Sequence, residues 1–576
     1  MTPAKPEAGT EPVAVVGNGP VGQTAALLLA RWGVPVLLLD RRAERDRIGS
    51  KAICQQRDVL DIWEAVGAGR RIASEGLTWT TARTFYRDTE LFAYTIAESG
   101  RSCFPPFVNL SQARTEEILD ERIAAQPLID VRWGHTVTGI GQDSAGVELR
   151  CEGGAALRAR YAVLCAGARG EPLREALGVT FDGHSFDDRF LICDIRADLP
   201  GWAGERRFYF DPRWNPGRQV LIHPCPGSTF RIDWQVPGDY DLAAEEADGS
   251  LDRRIRAIIG DRDYDIVWKS VYRFQSRIAN TFRSGRVLLA GDCAHLVAPF
   301  GARGLNSGVA DAENLAWKLA FVLGGWAGDG LLDSYHAERH AAAMENLEVT
   351  GATMRFLVPG TEADLARRAH VLDTAAAASA HADTDAVDPV DSVDSGKLSE
   401  PFWYADSPLT TPDATRPRPC RPRRGDVPAC APGTIVPDAP VIFDGGETRL
   451  RALARDGFLL LCTRGVAARA VEDAVREAAI GAPVGIVELA TADHTGVLAD
   501  ALGTRAGEVW VIRPDAHVAA VATTPAAAAE AVRTALGGGL SGAAAARSLW
   551  EAASSGRTPD AGSAEPTPRP VPGEAP

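Results

Sequence analysis

The sequence lacks the features that mark several large classes of protein. Lysine and arginine total 61 against 76 aspartates and glutamates, and the formal net charge of -15 leaves no basic surface for nucleic acid or an anionic membrane. The ten cysteines form no CxxC pair and no metal-ligand spacing, which predicts reduced thiols and no metal site. No apolar run is long enough to span a bilayer, and the polar N-terminus has no secretory signal pattern. We therefore expect a soluble, cytoplasmic protein.

The residue composition and the hydrophobic pattern change along the chain, and a length of 576 residues predicts several domains. Strand-like and helix-like runs alternate at first, an Ala-, Asp-, Pro- and Arg-rich stretch follows, and a second α/β rhythm comes after it. The predicted parts are a flexible N-terminus (1–11), a nucleotide-binding domain (12–180 and 281–358), an inserted β-sheet domain (181–280), a helical linker (359–438), a C-terminal α/β domain (439–540) and a disordered tail (541–576).

The segment 13–40, VAVVGNGPVGQTAALLLARWGVPVLLLD, predicts a dinucleotide-binding turn. It contains an apolar strand, a glycine-rich turn, an amphipathic helix and a second apolar strand. Gly17 allows the tight turn, Gly19 lets the backbone approach a pyrophosphate, and Gly22 lets the helix pack closely on the strand. Asp40, at the end of the second strand, can accept hydrogen bonds from a ribose. This motif alone does not separate NAD from FAD.

A second glycine-bearing segment, RVLLAGDCAHLVAPFGARGLNSGVADAENLAWKLA (286–320), indicates the cofactor class. A predicted strand ends in Gly291 and Asp292, a glycine-rich loop follows, and a long helix begins near Asn306. This pattern resembles the flavin-binding GD motif of the class A flavoprotein aromatic hydroxylases, the p-hydroxybenzoate hydroxylase family. The phrases PFGARGLNSG and DAENLAWKLA are most similar to its 3-(3-hydroxyphenyl)propionate hydroxylase-like branch.

The resemblance implies FAD as cofactor, with NADPH or NADH as reductant. Asp292 would hydrogen-bond the ribityl chain, and Gly301 and Gly304 would let the backbone lie against the flavin ring. The long helix, whose first residues include Leu305 and Asn306, would point its positive end at the flavin.

Two shorter segments and one departure also bear on cofactor use. By resemblance, Lys51 is the basic residue next to the flavin, and Gln112 is the glutamine that contacts the cofactor. The family carries an Asp-Gly pair, followed by Ala-Arg-Ser, near the FAD and nicotinamide phosphates. When the sequence is compared with this pattern without a gap, Gly167 and Ala168 stand at the positions of the Asp-Gly pair. A comparison with a gap also leaves no aspartate at the first position. We therefore predict weaker or altered use of NADPH, or a preference for NADH.

The fold implied is α/β, with a Rossmann-like FAD-binding domain, an inserted β-sheet substrate domain and a C-terminal thioredoxin-like α/β domain. In that last domain only Cys462 follows the first predicted strand, without a resolving cysteine. We interpret the domain as a structural or dimerising module, and a homodimer stays open.

The substrate pocket is the part that the pattern predicts least. In the family a flavin hydroperoxide attacks a phenol, which reacts better when its proton is withdrawn. Tyr209 lies close to the position of the phenol-contacting tyrosine of p-hydroxybenzoate hydroxylase, and Pro299 would line the pocket, so these two residues are the predicted catalytic pair. His223, Asp233 and Tyr272 are further candidates.

The leading hypothesis is an FAD-dependent monooxygenase that hydroxylates an aromatic, phenolic small molecule with NAD(P)H and O2. Two alternatives stay open. One is a flavin-dependent epoxidase or Baeyer–Villiger-type oxygenase acting on a polyketide-like aromatic. The other is a non-catalytic flavoprotein that has lost reductant binding. The sequence names neither the substrate nor the position of oxygenation.

Overall fold

The structure is a computed structural model that describes residues 11–46, 52–95, 102–381, 393–394, 396, 398, 400–420 and 429–540. Its strands are β1 (Val13–Val16), β2 (Val36–Leu39), β3 (Cys54–Gln56), β4 (Thr81–Tyr86), β5 (Thr89–Thr95), β6 (Phe107–Asn109), β7 (Ile129–Arg132), β8 (Val137–Gln142), β9 (Val147–Cys151), β10 (Ala156–Ala159), β11 (Tyr161–Leu164), β12 (Phe181–Ala197), β13 (Glu205–Phe210), β14 (Gln219–Cys225), β15 (Thr229–Val236), β16 (Tyr264–Ala279), β17 (Arg283–Ser284), β18 (Val287–Leu289), β19 (His295–Leu296), β20 (Pro440–Phe443), β21 (Gly446–Arg449), β22 (Phe458–Cys462), β23 (Val484–Glu488), β24 (Val509–Ile512) and β25 (Val518–Ala522).

The α-helices alternate with these strands over most of the described chain. They are α1 (Pro20–Arg31), α2 (Arg57–Glu64), α3 (Gly69–Glu75), α4 (Gln112–Ala124), α5 (Glu171–Ala176), α6 (Leu242–Ala247), α7 (Ser250–Ile259), α8 (Arg303–Leu323), α9 (Asp333–Leu357), α10 (Glu362–His381), α11 (Leu450–Ala454), α12 (Ala468–Glu477), α13 (Leu489–Ala492), α14 (Val497–Leu502) and α15 (Pro525–Ala535). None of the described helices is both long and apolar enough to cross a membrane.

A six-stranded sheet with the order β17-β18-β11-β1-β2-β7 forms the centre of the first part of the chain. β1 pairs in parallel with both β2 and β11, and β11 pairs in parallel with β18. Every residue of β1 and of β2 is buried, as expected for parallel strands covered on both faces. The predicted Rossmann-like domain is confirmed.

An eight-stranded sheet with the order β19-β16-β12-β15-β14-β13-β4-β5 forms the second layer. The inserted sheet predicted over 181–280 supplies β12 to β16, but β4, β5 and β19 also belong to it. The predicted boundary therefore leaves three strands out. β4 joins through a parallel pairing with β13, more than a hundred residues away, and no local sequence pattern reports such a contact.

Successive residues of this sheet point to opposite faces, and each face packs on a different part of the chain. The loop face packs on the loop before α8, and it includes Phe190, Phe208, Phe210 and Leu221 against Ala298 and Phe300. The helix face packs on α7, and it includes Val220, Ile222, Phe230, Ile232 and Trp234 against Leu251, Ile255 and Ile259.

The C-terminal part forms a four-stranded sheet with the order β23-β22-β24-β25. β22 pairs in parallel with β23, and the other two strands run antiparallel, which is the arrangement predicted for a thioredoxin-like domain. Cys462 is buried at the end of β22, and burial raises the pKa of its thiol to about 11. All ten cysteines lie in the described ranges and are free. Since that thiol stays protonated at neutral pH, it is poorly suited to redox exchange.

A buried ionic network joins the C-terminal sheet to α8 and α9. Glu338 accepts hydrogen bonds from Lys318 at 2.6 Å and from Arg513 at 2.9 Å, and all three side chains are at most 2% exposed. Arg513 also donates to Asp515 at 2.6 Å. Burial favours the neutral carboxyl, but the charges of Arg513 and Lys318 outweigh it and hold the pKa of Glu338 below its usual value.

Replacing Glu338 by glutamine is expected to destabilise the protein by about 3 kcal/mol, because it removes the buried carboxylate that Lys318 and Arg513 share and leaves Arg513 with Asp515 alone. Urea denaturation followed by circular dichroism measures the change. Glu530 is the matched control, since it pairs with Arg533 at the surface and is 65% exposed. Glu530→Gln should leave the unfolding midpoint unchanged. Equal midpoints for the two variants would contradict the importance of the network.

Candidate functional site

The turn between β1 and α1 is shaped by three glycines with different surroundings. A Cβ atom on Gly17, whose φ is +112°, would lie 2.2 Å from the Cys165 carbonyl oxygen. A Cβ on Gly22 would lie 1.9 Å from the Gly17 oxygen, so neither position accepts a side chain. A Cβ on Gly19 would have no atom within 4 Å. Gly19 therefore borders open space at the N-terminus of α1.

Asp40 lies at the end of β2, beside this turn. Its carboxylate accepts hydrogen bonds from the Asn18 amide at 2.8 Å and from the Arg42 guanidinium at 2.9 Å. Burial alone would raise the pKa of Asp40, but these hydrogen bonds outweigh it and hold the pKa below its usual value. The buried Asn18 Nδ2 has no hydrogen-bond partner within the described ranges. The turn therefore offers an ionised acceptor and an unpartnered donor next to open space.

The second turn follows β18 and is fixed to α8. The Gly291 amide donates to Asp311 Oδ2 at 3.0 Å, and His295 Nε2 lies 2.7 Å from the same oxygen. Burial disfavours the charged carboxylate, but His295 and Arg339 outweigh it and lower the pKa of Asp311 to about 2. His295 is 1% exposed, so its role here is structural. Asp292, next in the turn, is exposed.

α1 and α8 cross at this turn with almost no space between them. A Cβ on Gly308 would lie 2.6 Å from Val21 Cγ2 and 3.2 Å from Gly291 Cα. Val21 is in the first turn of α1, and Gly291 follows the end of β18. Because β1 and β18 flank β11 in one parallel sheet, the contact brings the starts of both helices to the same sheet edge.

The N-terminus of α8 presents backbone rather than side chains. Gly301 and Ala302 both have positive φ values, +84° and +57°, and α8 begins at Arg303 without a side-chain cap. A Cβ on Gly304 would meet nothing closer than Val297, at 4.0 Å. Since the first amides of a helix have no intrahelical partner, this end can bind a ligand that accepts hydrogen bonds.

The residues next to Gly304 hold the helix in place. Leu305 is half-buried. Asn306 Oδ1 accepts a hydrogen bond from the Gln56 amide at 3.0 Å, and Asn306 Nδ2 donates to the Cys54 carbonyl at 3.0 Å. The Asn306 side chain therefore ties α8 to β3, and its backbone amide is the group available at the helix end.

The remaining residues predicted to bind the cofactor lie on neighbouring elements. Gln112 begins α4, and its Oε1 accepts a hydrogen bond from the Ala52 amide at 3.2 Å. Lys51, the residue before Ala52, lies outside the described residues. The structure thus places Gln112 beside the segment in which the basic residue was predicted.

The departure from the family pattern lies at the same sheet edge. Gly167, Ala168 and Arg169 form a single 3₁₀ turn after β11, adjacent to the Gly291–Cys293 turn. Gly167 has a φ of +68°, and a Cβ on it would meet no atom within 4 Å. Ala168 and Arg169 are exposed. This turn therefore borders the open space from the side of β11.

The two residues predicted to be catalytic are not brought together. Pro299 is exposed on the loop before α8, whereas Tyr209 belongs to the helix face of the large sheet. The Tyr209 ring stacks on Phe85 at 4.6 Å and contacts Trp214 edge-on at 5.4 Å. Its neighbours Phe208 and Phe210 are the residues that face the loop. We therefore correct the assignment of Tyr209: strand alternation directs it away from Pro299.

The other candidates lie on the loop face. Tyr272 pairs with Phe190 across the β12–β16 ladder, and Phe190 contacts Phe300 edge-on at 5.7 Å. Burial is the main cause that raises the pKa of Tyr272; the charge of Asp292 raises it further and that of Arg231 lowers it. Tyr272 therefore lies between the second turn and the centre of the sheet.

His223 and Asp233 alternate with residues of the helix face and so point the same way as Tyr272. The alternation in the sequence of β15 predicts that Asp233 lies opposite the apolar face of that strand, but β14 has no such alternation, and only its pairing with β15 places His223 on the same face as Asp233.

Two family models match the chain. A model described as FAD binding domain covers residues 10–350, and one described as aromatic-ring hydroxylase, C-terminal, covers residues 429–540. A 3-(3-hydroxy-phenyl)propionate/3-hydroxycinnamic acid hydroxylase from Mycobacterium sp. (strain JLS) is 32% identical over 352 residues, which is 60% of this chain. The match spans 61% of that relative's own length.

Two solved structures are similar over most of the chain. The flavin-dependent monooxygenase PieE, in complex with FAD and substrate, has a TM-score of 0.77 at 25% identity and covers 92% of this chain and 100% of its own. Aklavinone-11 hydroxylase, in a ternary complex with FAD and aklavinone, has a TM-score of 0.70 at 25% identity, with coverages of 91% and 98%.

Gly19→Val is expected to weaken FAD binding at least tenfold while the protein still folds. Its Cβ meets no protein atom, and the φ of -93° suits any residue, so the new methyl groups project into the open space beside the turn. Flavin fluorescence titration measures the affinity, and circular dichroism measures the fold.

Gly204→Val is the matched control, since it also fills open space but lies far along the chain, in the turn before β13. It should bind FAD as the wild type does. Gly22→Val should fail to fold, because its Cβ would overlap the Gly17 carbonyl. Full FAD affinity in folded Gly19→Val would refute the role of this turn.

Proposed function

The chain belongs to the FAD-binding domain family, and from that membership we propose that it is an FAD-dependent monooxygenase that hydroxylates a phenolic small molecule with NAD(P)H and O2. One observation carries the proposal. The two turns and the open end of α8 meet at one sheet edge, and the loop before α8 packs on an apolar face of the large sheet. A cofactor held there would have its reactive end against a wall that excludes water.

The described residues fit FAD. We propose that Gly17, Gly19, Gly22 and Asp40 hold its adenosine and pyrophosphate half, which is supported by the open space at Gly19, the ionised Asp40 and the unpartnered Asn18 Nδ2. The proposed residues for the other half are Lys51, Gln112, Asp292, Gly301, Gly304, Leu305 and Asn306.

Bound FAD would supply the acceptance of hydride from the nicotinamide and the activation of oxygen. The chain's own contribution is geometric and electrostatic. The amides and positive dipole end of α8 favour negative charge beside Gly304. Phe190 and Phe274, with Phe300 edge-on to both, make the loop face apolar next to Pro299 and so limit the access of water.

A phenol is the substrate class that the comparisons favour. The mycobacterial relative acts on hydroxyphenyl compounds, and aklavinone-11 hydroxylase binds aklavinone together with FAD. The chain matches only part of that relative's length, and pocket residues vary more than cofactor residues do. We therefore propose the class of substrate and no individual compound.

Purified protein loaded with FAD is expected to oxidise NADH or NADPH faster when a suitable phenol is added. A panel of phenols, followed by nicotinamide absorbance and mass spectrometry of the product, tests this. A product with one added oxygen on the ring supports hydroxylation, whereas an epoxide or a ring-expanded ester would show a different oxygenase. If no aromatic compound stimulates oxidation, the proposed function is wrong.

We further propose that the Gly167–Arg169 turn makes NADPH a poor reductant relative to NADH, because the turn lacks the family's acidic residue. Anaerobic stopped-flow reduction of the flavin with each nucleotide measures the preference. Gly167→Asp combined with Ala168→Gly restores the family pair and should speed reduction by NADPH. Fast, tight and NADPH-specific reduction of the unmodified protein would contradict this proposal.

A further inference from the structure

The loop face contains a group of polar side chains that the cofactor does not need. His223 on β14 lies directly opposite Arg231 on β15, and Asp233 is two residues further along β15. Arg231 donates two hydrogen bonds to Asp194 on β12, at 2.8 and 2.9 Å. An Asp, a His and an Arg–Asp ion pair thus share one patch on a face that is otherwise largely apolar.

Two atoms of this patch are buried without any hydrogen-bond partner in the described part of the chain: His223 Nδ1 and Asp233 Oδ1. A buried polar atom without a partner costs about 1–3 kcal/mol, so such atoms rarely occur without a reason. Both side chains keep some accessible surface, while their titrating groups lie deep enough for burial to shift both pKa values. That combination indicates side chains that can bind a polar group from outside the chain.

A series of packing contacts connects this patch to the start of α8. Asn109 Nδ2 donates to the Pro224 carbonyl at 2.8 Å, which fixes β6 next to His223. β6 pairs with β3, and Cys54 of β3 packs with Ala302, the residue before α8. These contacts place the patch near the helix end at which the flavin is proposed to bind.

Resting on the proposed function, we propose that His223 and Asp233 bind the ionisable hydroxyl of the phenolic substrate and that the Asp233 carboxylate takes its proton. The O–H bond of the substrate breaks, the proton moves to Asp233 Oδ1, and the electron pair stays on the phenolate oxygen. His223 Nδ1 provides the second hydrogen-bonding atom. The proton returns to solvent when the product leaves.

The charges around Asp233 suit this step. Burial is the main cause that raises the pKa of Asp233 to about 7; Arg231 and Arg206 lower it, and Asp194 raises it. Burial and the same two arginines hold the pKa of His223 well below its usual value, so it stays neutral. A carboxyl that titrates near neutral pH can both take and release a proton. The two guanidinium groups stabilise the phenolate that forms.

Asp233→Asn tests the proton transfer, because it keeps the shape of the side chain and removes the base. Phenol and 4-nitrophenol serve as probes in single-turnover reactions of the reduced holoprotein with O2, at mildly alkaline pH. The variant should hydroxylate phenol at least a hundredfold more slowly. Its hydroxylation rate with 4-nitrophenol should fall less than tenfold, because 4-nitrophenol is already ionised in water at that pH. In the wild type the rate with phenol should rise with pH through about 7, and the variant should lose this rise.

Binding provides a readout that does not depend on turnover. Titration of the oxidised holoprotein, followed by the flavin difference spectrum, gives the affinity for phenol and for anisole, its methyl ether. Asp233→Asn and His223→Phe should each lower the affinity for phenol at least tenfold and leave the affinity for anisole unchanged. Asp265→Asn, an exposed carboxyl on β16, is the matched control and should behave as the wild type does.

Two results would overturn this site: an equal loss with both phenols, or unchanged phenol affinity in both variants. If the wild type itself responds to no aromatic compound, the proposed function fails, and the site fails with it. The two failures are thus distinguishable.

Discussion

The close crossing of α1 and α8 is the constraint on which the rest of the structure depends. Gly308 allows α8 to lie against Val21 and Gly291, since a larger residue there would have to displace the Val21 side chain and would crowd Gly291 Cα. A parallel sheet places the starts of its helices at one edge, and this contact brings the starts of α1 and α8 close together there. The N-terminus of α1 can bind a phosphate, and the N-terminus of α8 can bind another electron-rich group. A single extended cofactor can therefore contact both helices.

The C-terminal domain bears on the same helix. Arg339 of α9 donates to Asp311 at 2.7 Å and to Ser307 Oγ at 3.1 Å, and it also donates to the Tyr404 hydroxyl at 3.1 Å. The C-terminal sheet reaches α9 through Glu338. Because these charges are buried, they fix the position of α8 relative to α9 and the C-terminal sheet. The C-terminal domain thus has a structural role that needs no reactive cysteine. The C-terminal domain is therefore tied by buried ion pairs to α8, the helix that is proposed to face the cofactor.

Much of the fold and half of the site could be predicted from the sequence. Glycines that are required by close packing can be recognised in the sequence. Gly17 and Gly22 lie where a side chain would overlap backbone atoms, and the spacing of glycines in the motif is sufficient to find them. Long-range pairing gives no such signal, so the joining of β4 to β13 was missed. Tyr209 shows a different limit. Tyr209 was assigned by its position relative to the family's tyrosine, and such a comparison can be wrong by one residue. In a β-strand, an error of one residue moves the side chain to the opposite face of the sheet. The polar patch of Asp233 and His223 depends on three strands meeting, which only coordinates reveal.

The most direct measurement is a crystal structure of the chain determined with FAD. The account predicts one FAD per chain, with its pyrophosphate at Gly19, a ribose at Asp40 and its ring beside Gly304, facing the loop side of the large sheet. A folded protein that binds no FAD, or one that holds the ring away from the N-terminus of α8, would contradict it.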